Sequence, residues 1–340
     1  MNHDCLICFL RRFRLLRKKR TVTSYISFYF RSFRSQFSML NAIFYLELSL
    51  EDNNSRVFIL LDNGIVRRNP GFKKFSSEEL YMAWLVILSS ILVLWVASLC
   101  KILHESLFAS KVTFLNDGGV IRRRNVLLVI AHPDDESMFF APTINYLISE
   151  GHNLHVLCMS TGDAEGKGNI RKEELYLASA ILRIPVQQVK IVNHPDLQDG
   201  FGKMWNWNLL ANIIDEETRA HSIDLIITFD DYGVSGHCNH RDVHQGVRKL
   251  LHVTSGRHIE VWKLVSIGIA RKYSGIVDIW LSILFSRCQQ NGQYECLLNQ
   301  DPVKSYSAMA QHSSQWVWFR KLFVLFSSYT YVNTLKRVNE

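Results

Sequence analysis

His132, Asp134, Asp135 and Glu136 fall within five residues, and His237, His240 and His244 within eight. Imidazole and carboxylate are the ligands of catalytic zinc, which is typically held by three protein groups with room left for water and substrate. Adjacent carboxylates such as Asp134 and Asp135 point in different directions, so one suits a metal ligand and the other a base. Metal-assisted hydrolysis needs that division: the ion acidifies a water and polarises a carbonyl while a nearby carboxylate handles the proton. Taken alone, Asp134-Asp135-Glu136 also reads as the first turn of a helix whose acids complement the dipole. The second cluster, Gly236-His237-Cys238-Asn239-His240, favours the catalytic reading.

Both clusters follow apolar runs that must position them. Val126–Ala131 and Asp224–Phe229 have the composition of strands buried on both faces of a parallel sheet, where ligands sit beyond the carboxyl ends of the strands. Pro133 stops the first run, and Ser137–Glu150 has helical apolar spacing. Further along, Leu154–Met159, Val189–Val192 and Val261–Ile269 read as strands, and Arg171–Leu182, Trp207–His221 and His240–Leu251 as helices. Alternation with short links predicts an α/β fold: a Rossmann-like open parallel sheet of five or six strands with helices on both faces. The two motif-bearing strands must be neighbours for their clusters to meet. No G-x-G-x-x-G follows the first strand, which argues against a dinucleotide-binding protein.

The run Ala131–Glu136, AHPDDE, together with Gly236–His240, resembles the zinc-dependent de-N-acetylases of the LmbE/PIG-L superfamily over about Val126 to His252. That resemblance implies His132, Asp135 and His240 as ligands of zinc or another divalent metal, Asp134 as general base, and His237 as the group that steadies the oxyanion or serves as an acid. Many members carry Pro-Asp between the two histidines where this chain has Cys238-Asn239. The branch acting on N-acetylglucosaminylphosphatidylinositol, at the second step of glycosylphosphatidylinositol anchor synthesis, is the most similar, through Ser160–Asp163, Asn193–Gly200, Lys272–Gly275 and an N-terminal anchor. The resemblance further implies hydrolysis of an acetamide to glucosamine and acetate at the endoplasmic reticulum membrane. Arg171, Glu174, Asp163, Asp196 and Glu136 are implied in shaping the sugar or metal surroundings. The rival readings are a deacetylase of another amino-sugar conjugate and a catalytically silent membrane scaffold with this fold.

Other residues are set aside. His244 lies four residues after His240, on one helix face with it. Cys238, between two histidines that face the metal, is expected to turn away. Gly162–Gly168 has three residues between its first two glycines and no Ser or Thr after Lys167, so it is a loop at the mouth of the site rather than a phosphate loop. His104, His221, His252, His258 and His312 have no companions at metal spacing.

The formal net charge is +8. Residues 1–34 carry nine Lys or Arg against Asp4 alone, so the rest of the chain is neutral overall, which argues against a nucleic-acid enzyme. Seven scattered cysteines form no disulfide framework and suit a reducing compartment. Met82–Cys100 is an uncharged apolar stretch of bilayer-spanning length. Lys101, Lys111, Arg122, Arg123 and Arg124 follow it, which places the next domain in the cytoplasm. The expected organisation is a basic, poorly ordered extension (1–81), a single transmembrane anchor (82–103), the catalytic domain (120–272), and an apolar, aromatic region (273–340). This last region packs on the domain or lies at a membrane interface.

Overall fold

The computed structural model describes residues 77–108, 123–200, 202–253, 259–289 and 293–338. The expectation for residues 1–76 lies outside them. The chain divides into two compact units, Met1–Ala97 and Ser98–Glu340. Helix α1 (Ser77–Phe108) contains Tyr81–His104, a stretch of mean hydropathy 2.4, long and apolar enough to cross a membrane.

The second unit is built on β1 (Asn125–Ile130), β2 (Asn153–Cys158), β3 (Val189–Ile191), β4 (Leu225–Phe229), β5 (Glu260–Leu264), β6 (Tyr294–Leu298) and β7 (Val332–Arg337). They form one sheet in the order β3-β2-β1-β4-β5-β7-β6. The first five are parallel, with Leu128 opposite both Val156 and Ile227. Buried side chains from Val126 to Ile130 in β1 and all along β4 explain the unbroken apolar runs: strands central to a covered parallel sheet have no solvent face. Chain order reverses between β1 and β4, the switch point at which such sheets open a crevice beyond their carboxyl ends.

Two differences from the sequence reading have clear causes. The sheet has seven strands and is not wholly parallel, because β7 pairs antiparallel with β5 and β6 antiparallel with β7. Asn333 is fully buried in β7 and bonds to Thr143 Oγ1 at 2.7 Å and to the Phe139 carbonyl at 2.9 Å. Polar side chains occupy core positions there, so the strand lacks apolar alternation. Likewise, the single helix expected over 137–150 is two, α2 (Asp135–Met138) and α3 (Ala141–Ser149). Pro142 has no N–H and clashes inside a helix, but it is well placed in the first turn of α3.

The longer helices that follow are α4 (Gly168–Leu182), α5 (Trp207–Ala220), α6 (Cys238–Val253), α7 (Asp278–Cys288), α8 (Pro302–Met309) and α9 (Trp318–Phe326), with single helical turns at Gly233–Gly236 and Ile269–Lys272. Asn206 caps α5, its side chain accepting from the Asn208 and Leu209 N–H groups at 2.9 and 3.4 Å.

Candidate active site

Beyond β1 the chain turns sharply at Asp134, whose φ of 116° lies in the left-handed region that non-glycine residues rarely enter. Such strain persists only where surrounding contacts fix it. Here the Asp134 N–H donates to Glu136 Oε2 at 3.1 Å, and the Asp134 carbonyl accepts from Ser137 and Met138. The distortion turns the neighbouring carboxylates of Asp134 and Asp135 toward different partners.

Asp135 Oδ2 accepts from the backbone N–H groups of Ala131 (3.1 Å) and His132 (2.8 Å), while its Oδ1 lies 3.2 Å from His240 Nε2. Burial raises its pKa, but the His240 and His132 charges and hydrogen bonds outweigh burial and hold the carboxyl below its ordinary range. Asp134 Oδ2 points instead to Arg320 Nη1 at 2.6 Å and Arg171 Nη2 at 3.4 Å. Its pKa is raised, because burial outweighs the two guanidinium groups.

Beyond β4, His240 enters on the first turn of α6. Its Nδ1–H donates to the Gly233 carbonyl (3.0 Å), which leaves the Nε2 lone pair as the ligating one. Phe229 stacks flat on the ring, with centroids 4.2 Å apart. A Cβ at Gly233 would stand 2.6 Å from His240 Cβ, and φ there is +68°, so both space and backbone require glycine. His237 accepts the Asn239 N–H at Nδ1 (3.3 Å), which puts the proton of its neutral ring on Nε2. Burial and the neighbouring His132 and His240 lower its pKa to about 4, so the ring is neutral at physiological pH.

The donor atoms of His132, His237 and His240 lie within 4.8 Å of one another, and Asp135 joins this group through His240. The imidazoles of His132 and His240 and an ionised, buried carboxylate are donors that suit a borderline-soft divalent ion, with His237 at their side. Asp134 stands outside the group, against the two arginines.

Of the other sequence candidates, Arg171 is in the site. Its guanidinium donates to the carbonyls of Gly162 (2.9 Å) and Pro133 (2.6 Å) and so ties the loops after β1 and β2 together. A Cβ on Gly162 would fall 2.5 Å from Arg171 Cζ, which fixes that glycine. Glu174 is buried, and its carboxylate accepts from Ser313 Oγ (2.9 Å), the Ser314 N–H (2.7 Å) and Ser314 Oγ (2.7 Å). It holds the C-terminal segment rather than facing the cluster. Asp163 is exposed and accepts the Gly168 N–H, and Asp196 is exposed beside His194. His244 bonds to the Phe229 carbonyl, and Cys238 turns away toward the Gly200 and Lys203 carbonyls.

Four participants escape the sequence reading. Asp199 Oδ1 lies 3.0 Å from His132 Nε2, and Asn239 Oδ1 lies 3.2 Å from the same nitrogen. Arg320 reaches Asp134 from 186 residues away. His312, set aside for want of companions, places Nε2 2.6 Å from Glu136 Oε1, with both side chains fully buried. Asp199 and Asn239 lie in the Asn193–Gly200 and Gly236–His240 stretches already singled out, without a role assigned to either; nothing local marks Arg320 or His312.

Residues 127–251 match the family described as PIG-L, GlcNAc-PI de-N-acetylase. A Dictyostelium discoideum protein named probable N-acetylglucosaminyl-phosphatidylinositol de-N-acetylase is 35% identical over 245 residues, spanning 64% of this chain and 95% of that protein. One of the same name from Schizosaccharomyces pombe is 38% identical over 219 residues, 63% of this chain and 86% of that protein. Among solved structures, the N,N'-diacetylchitobiose deacetylase of Pyrococcus horikoshii aligns with TM-score 0.47 and 13% identity, covering 70% of this chain and 90% of that one. Identity of 35% across nearly the whole of a relative makes the chain a member of the PIG-L family of de-N-acetylases.

Proposed function

We propose that this protein hydrolyses the acetamide of N-acetylglucosaminylphosphatidylinositol to glucosaminylphosphatidylinositol and acetate, with zinc held by His132, Asp135 and His240. The observation that carries the reading is the meeting of these three with His237 at the β1/β4 switch point, while Asp134, next to Asp135 in the same turn, faces Arg320 and Arg171. His237 is left out of the ligand set because its Nε2 carries the proton, which makes that nitrogen a donor. When bound, zinc polarises the amide carbonyl and acidifies the attacking water.

The chain's own residues do the rest. Asp134 takes the proton of the attacking water and passes it to the departing amine, so one water is added across the C–N bond. Arg320 and Arg171 keep a charged partner beside Asp134 while burial disfavours its ionised form. His237 donates Nε2–H to the developing oxyanion, and its depressed pKa keeps it a neutral donor. Arg171, which faces Asp134 and Asp199, is the sugar-contact candidate best placed for that task.

The same reading anchors the chain in the endoplasmic reticulum membrane through Met82–Cys100, with the catalytic domain on the cytoplasmic side. Supporting it are the apolar length of Tyr81–His104 and the relatives' names. The test is acetate release from the glycolipid by the purified full chain, before and after chelation and after zinc is restored. Hydrolysis that survives complete metal removal, or none on this glycolipid while other amino-sugar amides are cleaved, would overturn the assignment.

A further inference from the structure

Helix α9 has its faces reversed relative to a helix at the surface of a water-soluble protein. Arg320, Phe323 and Val324 lie on the inner face: Arg320 reaches Asp134, Phe323 packs edge-to-face on Phe139 at 5.7 Å, and Val324 is buried. The outer face carries Trp318 (72% exposed), Phe319 (54%) and Leu322 (41%), preceded by Val317 (41%). Lys321, the one cation on that outer face, lies 5.8 Å from the centroid of the Trp316 ring. Scattered exposed apolar residues are ordinary, but two aromatics and two aliphatics in six positions form a patch.

On the inner face of α9, Phe323 also meets Tyr273 at 6.2 Å, and on α7 Leu281 (49%) and Leu284 (59%) are exposed as well. Within this same unit, Trp280 Nε1 on α7 donates to Ser98 Oγ at 2.8 Å. Helix α7 therefore lies beside the C-terminal part of the apolar helix α1.

We propose that the outer face of α9 docks on the surface of a lipid bilayer, with the side chains of Trp318, Phe319 and Leu322 in the headgroup region. Tryptophan beside lysine is the combination that an interface favours: the ring sits at headgroup level, and the ammonium meets anionic lipid phosphates. The presence in the same chain of a helix long and apolar enough to cross a membrane makes a bilayer, rather than a soluble partner, the occupant. Because Arg320 on the same helix touches Asp134, docking brings the catalytic crevice to the lipid surface, where a lipid-linked substrate presents its sugar. The docking itself does not rest on the reaction assigned above, and its test needs no turnover.

The full chain is reconstituted into vesicles of phosphatidylcholine and phosphatidylserine in a 3:1 ratio, with the phosphatidylcholine either ordinary or brominated on its acyl chains. Trp318→Phe removes one fluorophore at a largely exposed position while keeping an aromatic ring, so the wild-type-minus-variant difference reports Trp318 alone. That difference emission is present in ordinary vesicles and quenched in brominated ones. In the Trp318→Phe background, Leu322→Trp introduces a reporter one turn along, and its emission is quenched in the same way. Equal difference emission in both vesicle types at both positions overturns the proposal, whether α9 then faces water or is covered by a protein.

Discussion

Replacing each of the two adjacent aspartates by asparagine separates base from ligand. Asp134 stands at φ 116°, and asparagine is among the few residues that tolerate positive φ, so Asp134→Asn adds little backbone strain. The amide oxygen still accepts from Arg320, while the basic site is gone. Asp134 lies outside the donor cluster, so bound zinc should stay at the wild-type level while turnover falls by about 10²–10⁴-fold, the usual contribution of a positioned acid or base. Asp135→Asn meets a different geometry. Its Oδ2 already accepts two backbone N–H groups and its Oδ1 faces His240 Nε2. If the amide oxygen keeps the backbone bonds, the amide nitrogen points its hydrogens at the lone pair a metal needs. If it flips, two buried N–H donors lose their acceptor, at about 1–3 kcal/mol each. Either way zinc affinity should drop by more than the about 10–100-fold that losing an outer hydrogen bond typically costs. Metal content by plasma mass spectrometry and acetate release, measured on the same preparations, read the two effects. Metal lost in Asp134→Asn and kept in Asp135→Asn would reverse the assignment and refute the reasoning.

Other predictions follow from particular contacts. Gly233→Ala should drive a Cβ into His240 at 2.6 Å and strain a left-handed backbone, giving both lower zinc content and a lower Tm than wild type. His312→Ala leaves Glu136 fully buried without its cationic partner and should cost about 3–5 kcal/mol in denaturant unfolding, against total stabilities of about 5–15 kcal/mol. Glu174 has a lowered pKa: burial raises it, but bonds from Ser314 and Ser313 prevail. Its stabilising contribution is therefore present above the ordinary glutamate value of about 4.3 and lost as pH falls from there through the lowered folded value. Glu174→Gln should flatten that part of the Tm–pH curve, and an unchanged slope would count against it. A chain starting at Met82 should keep membrane association and activity, measured by fractionation and acetate release.

What the sequence revealed and what it hid divide along a physical line. Strands β1 and β4 were legible because both their faces are buried, which forces continuous apolar runs, and the residues just past them were legible because they follow in sequence. Their adjacency followed from the chemistry, since His132 and His240 must meet. Strands β6 and β7 were not legible: buried Asn333 and Thr334 break the apolar pattern that would have marked β7. The ion pairs of Arg320 and His312 are tertiary, spanning 186 and 176 residues, so their own neighbourhoods carry no trace of them. Glu174 shows the converse: a motif-associated acid whose buried carboxylate is occupied in holding Ser313 and Ser314.

The late position of Arg320 and His312 bears on biogenesis. A ribosome making this chain releases every proposed zinc ligand by His240, long before the two cations that sit against Asp134 and Glu136. Until those last segments dock, a nascent domain holds several carboxylates in one pocket with few opposing charges, and closing contacts of such sequence separation is slow. A premature stop after about residue 310 would thus spare the complete donor set and still abolish a folded enzyme, so late nonsense and frameshift alleles should behave as nulls rather than as mild truncations.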